Sequence, residues 1–139
     1  MTDFSFSKDE ILRRKKRIDQ LFKEGSSFFI HPCKVFWLLT SLDTGKPAQV
    51  MFIAGKKNFR HAVDRNRIRR QIREAYRLRK HELYGYLNGI ERQCILCIIY
   101  TAKTPPQRGE MDRKINAVFK RLFYEINREL NNPPVALST

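Results

Sequence analysis

Too few cysteines are present to staple this chain, because Cys33, Cys94 and Cys97 are an odd set that cannot all pair. This fits a reducing compartment, the cytoplasm, better than a disulfide scaffold. Carboxylates are scarce and scattered, 14 Asp and Glu in 139 residues, whereas a protein that hydrolyses a phosphodiester with its own metal gathers two or more of them. The closest pair, Glu110-x-Asp112, stands where a helix begins and suits the helix dipole there. Cys94-x-x-Cys97 looks like half a zinc ribbon, but positions i and i+3 of a strand face opposite ways, so these read as core thiols rather than metal ligands. His31, His61 and His81 have no nucleophile placed beside them by any local signature. Gly55-Lys56-Lys57 lacks the glycine spacing of a phosphate-binding loop. The longest apolar run, Cys94 to Tyr100, is far too short to span a bilayer. The start, MTDFSFSKDE, has neither a basic nor an apolar region of a secretory signal. No catalytic or metal-binding constellation is expected, and no membrane.

Positive charge is abundant by contrast. Twenty-eight Lys and Arg leave a formal net charge of +14, a self-repelling surface that a polyanionic partner would neutralise. Lys56 to Lys80 alone carries eleven basic residues against Asp64 and Glu74, a local balance of +9. A helix lying on a membrane would set a broad Leu, Phe or Trp face against such charge, and this segment offers little of that. Nucleic acid is therefore the partner to test.

A chain of this length builds one domain with a real core. Ile11 to Glu24 has helical spacing and ends at Gly25, a natural stop. SSFFI, a break at His31-Pro32, and CKVFWLLTS read as extended. A turn at Asp43 to Pro47 leads into AQVMFIAG, taken as the returning strand of a hairpin. The basic segment reads as helix from about His61 to Glu82, with Gly85 and Gly89 loosening the chain beyond it. QCILCIIYT has the two-sided apolarity of a central strand. Glu110 to Leu130 is a last helix with Ile115, Val118, Phe119, Leu122, Phe123 and Ile126 on its core side. Residues 1–10 read as a flexible lead, 11–131 as the domain and 132–139 as a frayed tail.

On a helical wheel Arg65, Asn66, Arg69, Arg70, Arg73 and Arg77 fall within one polar stripe, while Ile68, Ile72 and Ala75 gather on the opposite side. Arginine's planar fork grips phosphate bidentately and stacks on bases, which suits a folded RNA. Asn66 adds a short directional donor and acceptor for a base edge, a 2′-hydroxyl or a phosphate. Ile18 and Phe22 on the first helix, beside Phe36 or Trp37 on a strand, could line a second, aromatic groove in which unpaired bases stack. A ribosomal protein or an architectural DNA binder is the alternative of the same broad kind.

These residues carry a resemblance. The run AGKKNFRHAVDRNRIRRQIREAYRLRK closely resembles the signature of the bacterial ribonuclease P protein component. Its elements are Lys56-Lys57, Ala62, Arg65-Asn66-Arg67, Ile68, Arg69-Arg70 and Arg73-Glu74. The resemblance implies an α+β sandwich in the order α-β-β-β-α-β-α, with Ser26 to Ile30 as first strand and a left-handed crossover around the arginine helix. It also implies a subunit of the ribonucleoprotein that removes the 5′ leader from precursor tRNA, with catalysis and Mg²⁺ belonging to the RNA subunit. No tightly bound cofactor of the protein and no protein partner would then be needed. Arg65, Asn66, Arg67, Arg69, Arg70 and Arg73 would dock on the catalytic RNA, with Lys56, Lys57, Arg60 and Arg77 adding contacts. Ile18, Phe22, Phe36 and Trp37 would line the cleft for the single-stranded leader. The family usually has Phe where Ile18 stands, and Gly is common at the place of Met51.

Overall fold

The computed structural model describes residues 4–131. A 3-10 turn, Lys8–Glu10, precedes α1 (Lys15–Glu24), β1 (Ser26–Ile30), β2 (Cys33–Leu39), β3 (Ala48–Ala54), α2 (Ala62–Gly89), β4 (Cys94–Tyr100) and α3 (Glu110–Asn131). This is a mixed α+β domain in the order α-β-β-β-α-β-α. The expected tail, 132–139, lies outside the described residues.

The four strands form one sheet in the order β1-β2-β4-β3. β1 and β2 are antiparallel and joined at His31-Pro32, with Ile30 opposite Cys33. The hairpin of this sheet is therefore β1–β2 and not the expected β2–β3. β4 inserts between β2 and β3, antiparallel to the first and parallel to the second. The reason lies in burial: β4 has six of its seven residues buried and takes the centre, where both faces are covered, while β3 takes the edge. Turn residues at 43–47 signal a reversal but do not say which strand completes the ladder.

Alternation along the strands divides the core in two. Cys33, Val35, Trp37 and Leu39 of β2 and Cys94, Leu96, Ile98 and Tyr100 of β4 meet α2 and α3 on one face. Ile95 and Cys97, with Phe36, Leu38, Met51, Ile53 and Ile99, meet Leu12, Ile18 and Leu21 on the other. Cys94 and Cys97 thus lie on opposite faces, and burial pushes both thiols up to about 12. α2 packs through Ile68, Ile72, Ala75, Tyr76, Leu83 and Leu87, and α3 through Ile115, Val118, Phe119, Leu122 and Ile126.

Two expectations are corrected here. The first helix begins at Lys15, because Ile11 forms a bridge with Val50 and Leu12 N donates to Val50 O at 2.9 Å. α2 runs on through Gly85 to Gly89, since Leu83 and Leu87 continue its buried face; one exposed glycine in such a helix costs only about 1 kcal/mol. Within the described part of the lead, residues 4–10, Phe6 packs on Phe52 and Tyr76 with centroids 6.4 and 5.9 Å away. Glu10 is fully buried in an ion pair with Lys80 of α2.

Candidate nucleic-acid interface

α2 can present charge outward because its opposite stripe is nailed to the sheet. Ile68, Ile72 and Tyr76 are essentially without exposure, and Asn66, Arg67, Arg69, Arg70 and Arg73 are exposed on the rest of the cylinder. The loop before it is fixed as well. Phe59 is buried against Tyr100, and Asn58 donates to Thr101 O at 3.1 Å. Lys56, Lys57 and Arg60 are left exposed at the helix start.

The arginines differ in what their guanidinium groups already hold. Arg65 donates from one nitrogen to the carbonyls of Phe59 and Arg60, both at 2.9 Å, so it clamps the loop that carries Arg60. Arg69 donates to Oδ1 of Asn66. Arg73 lies over the Phe6 ring, 5.0 Å from its centroid. Arg77 is spent within the protein, bound to Glu74 at 2.5 and 3.0 Å and to Phe4 O at 2.8 Å. The hydrogen bond from Arg77 holds the Glu74 carboxyl below its usual range. Among the described residues, the side chains of Lys56, Lys57, Arg60, Arg67 and Arg70 have no protein hydrogen-bond or ion-pair partner. The basic residues singled out from the sequence all stand on α2 or on the loop that leads into it, but all three guanidinium nitrogens of Arg77 already donate within the protein. Phe52 of β3 joins Asn66, Arg69, Arg70 and Arg73 around a groove of about 290 Å³; the sequence reading omits it.

A second candidate surface lies on the α1 side of the sheet. α1 is short and covers only part of that face, held there by Arg17, whose guanidinium donates to Ser41 O at 2.8 Å, and by the Arg14–Asp43 pair at 2.8 Å. Phe22 is 42% exposed and meets Phe36 edge to face with centroids 4.9 Å apart. Ile18 is half-buried beside them. Trp37 is a correction: it is 2% exposed and packs in the core on the α2 and α3 face. Strand alternation puts Phe36 and Trp37 on opposite sides, so only one can line the cleft. Two residues missed by sequence reasoning stand there instead. Phe29 is 52% exposed and pairs across the hairpin with Lys34, whose Nζ sits over the Phe36 ring at 5.3 Å. The period-two step back from Phe36 to Lys34, and the hairpin turn at His31-Pro32, are the signals that could have found them.

No helix of the described residues is long and apolar enough to cross a membrane. No three His, Cys, Asp or Glu side chains among them converge as a metal site would require.

A family model described as Ribonuclease P matches residues 6–125. The ribonuclease P protein component of Porphyromonas gingivalis is 39% identical over 97 residues, 70% of this chain and 69% of that protein. That of Chlorobium phaeobacteroides is 36% identical over 138 residues, covering 92% of this chain and 87% of the relative. Among solved structures, the Staphylococcus aureus RNase P protein superposes with a TM-score of 0.65 over 83% of this chain and 96% of that one, at 19% identity. The structural likeness bears on the fold, and the sequence likeness on descent. With one family model and relatives of this identity spanning most of its length, the chain belongs to the ribonuclease P protein family.

Proposed function

We propose that this chain acts as the protein subunit of a ribonuclease P that removes the 5′ leader from precursor tRNA. In this reading it binds the RNA subunit through α2 and the leader through the cleft beside α1. The observation that carries it is the cationic face of α2, a row of exposed arginines backed by a fully buried apolar stripe in a member of this family. The protein contributes affinity and position. Each phosphate it neutralises releases condensed counterions, and about six contacts would weaken binding by around 10³ between low and near-physiological salt. Catalysis is assigned to the RNA subunit and to Mg²⁺ held by it.

Roles follow from what each side chain has free. Lys56, Lys57, Arg60, Arg67 and Arg70 meet phosphates. Arg65 orients the loop under Arg60. Phe22, Phe29 and Phe36 offer stacking faces to unpaired leader bases, with Lys34 on the backbone beside them. Adding the protein to its RNA subunit should restore precursor-tRNA cleavage at physiological Mg²⁺. No stimulation, with both components intact, would overturn the proposal.

A further inference from the structure

The groove lined by Phe52, Asn66, Arg69, Arg70 and Arg73 differs from the rest of the charged face in having an aromatic residue among its donors. Phe52 is half-buried and held by Tyr76, 5.6 Å away and steeply inclined, and by Phe6. Phosphate contact alone has no use for such a ring. A nucleobase does, because every base has a π-face to lay on it.

The polar lining is selective as well. Asn66 Oδ1 is bound by Arg69, and a guanidinium can only donate, so the orientation of the amide is dictated by its neighbour. What Asn66 has left is the Nδ2 donor pair and one lone pair of Oδ1. Arg69, Arg70 and Arg73 donate only. Apart from that lone pair, every polar side-chain group still free in this groove is a hydrogen-bond donor. Adenine and cytosine each bring an exocyclic amino donor to such a wall and uracil's two carbonyl oxygens are separated by N3–H, whereas guanine presents N7 and O6, two adjacent acceptors, on one edge.

We infer that this groove takes a single unstacked guanosine of the RNA subunit, its base against Phe52, its N7 and O6 edge toward Asn66 and an arginine, and its phosphates on Arg70 and Arg73. The inference rests on the proposed binding of the RNA subunit through α2 and adds to it a base-specific contact. Phe52 and Asn66 are then specificity-determining residues on a face that otherwise reads only charge.

Dimethyl sulfate methylates guanine at N7, so it reports this contact directly in the reconstituted ribonucleoprotein. At saturating protein, one guanine outside the base-paired helices should lose reactivity with the wild-type chain. It should regain reactivity with Phe52→Leu, which removes the ring face. It should also regain it with Asn66→Asp, which preserves the shape and the Arg69 contact while replacing donors by an acceptor. The rest of the backbone footprint should persist in both variants, and their thermal melting should stay close to wild type. Phe52→Leu is further expected to weaken RNA binding by about tenfold without changing its salt dependence. Protection unchanged in Asn66→Asp, or a protected base that is not guanine, would overturn the inference and leave the charged interface standing. A wild-type chain that leaves no footprint on the RNA would overturn both.

Discussion

Glu10 shows how one residue can govern a segment. Its carboxylate accepts from Lys80 Nζ, from the Ser7 backbone at 2.6 Å and from the Tyr84 hydroxyl at 2.7 Å, with Lys80 also donating to Ser5 O. Burial pushes the Glu10 pKa up, but Lys80, Ser7 and Tyr84 together hold it below its usual 4.5. Glu10→Ala would strand a buried ammonium and should cost about 3–5 kcal/mol, measured by denaturant unfolding. The sign of the pH effect follows from the direction of the shift. A depressed folded pKa contributes stability that is whole above about pH 4.5 and is lost as pH falls through the lower folded value. Stability should therefore fall on acidification below pH 4.5, and Glu10→Gln should flatten that limb. An unchanged limb in Glu10→Gln would show that other carboxylates carry the acid transition.

At the scale of elements, α2 separates arginines that look alike in sequence. Arg69 and Arg70 have nitrogens that are wholly free, while all three nitrogens of Arg77 already donate to Glu74 or Phe4 O. Arg70→Ala should weaken binding of the RNA subunit and reduce the slope of log K against log salt by about 1. Arg77→Ala should leave that slope unchanged. A filter-binding salt titration of the two variants separates these outcomes, and equal slopes would overturn the division. Gly25 makes a related point at the end of α1. It reads as a helix stop, yet its φ is −75° with an extended ψ of 164°, which any residue adopts. Glycine is required there by close approach, since a Cβ would lie 2.4 Å from Leu21 O and 2.9 Å from Trp37 O. Gly25→Ala must push α1 off β2, and a loss of about 1–3 kcal/mol is expected, on the scale of overpacked sites. A melting temperature equal to wild type would contradict it.

For the molecule as a whole, one sheet keeps the two proposed RNA-binding surfaces apart, the arginine face of α2 on one side and the aromatic surface beside α1 on the other. Phe22→Ala should weaken binding of precursor tRNA with a long leader, by about 1–3 kcal/mol per lost stack, and leave leaderless tRNA unaffected. Equal loss for both substrates would count against the cleft.

The sequence by itself determined the elements and the charged stripe, because both are set by periodicities within one segment. The 3.6-residue spacing of Ile68, Ile72 and Ala75 specified which side of α2 is buried and hence where Arg69, Arg70 and Arg73 stand. The signature around Arg65-Asn66-Arg67 then carried the family. What the tertiary structure decided were relations between segments distant in the chain. β4 entered between β2 and β3, Trp37 turned into the core while Phe36 faced the cleft, and Glu10 reached Lys80 across 70 positions of sequence. Phe29 and Phe52 joined their sites in the same way. No local pattern encodes these pairings, since they are won by whichever partner buries the most apolar surface without leaving a polar group unsatisfied.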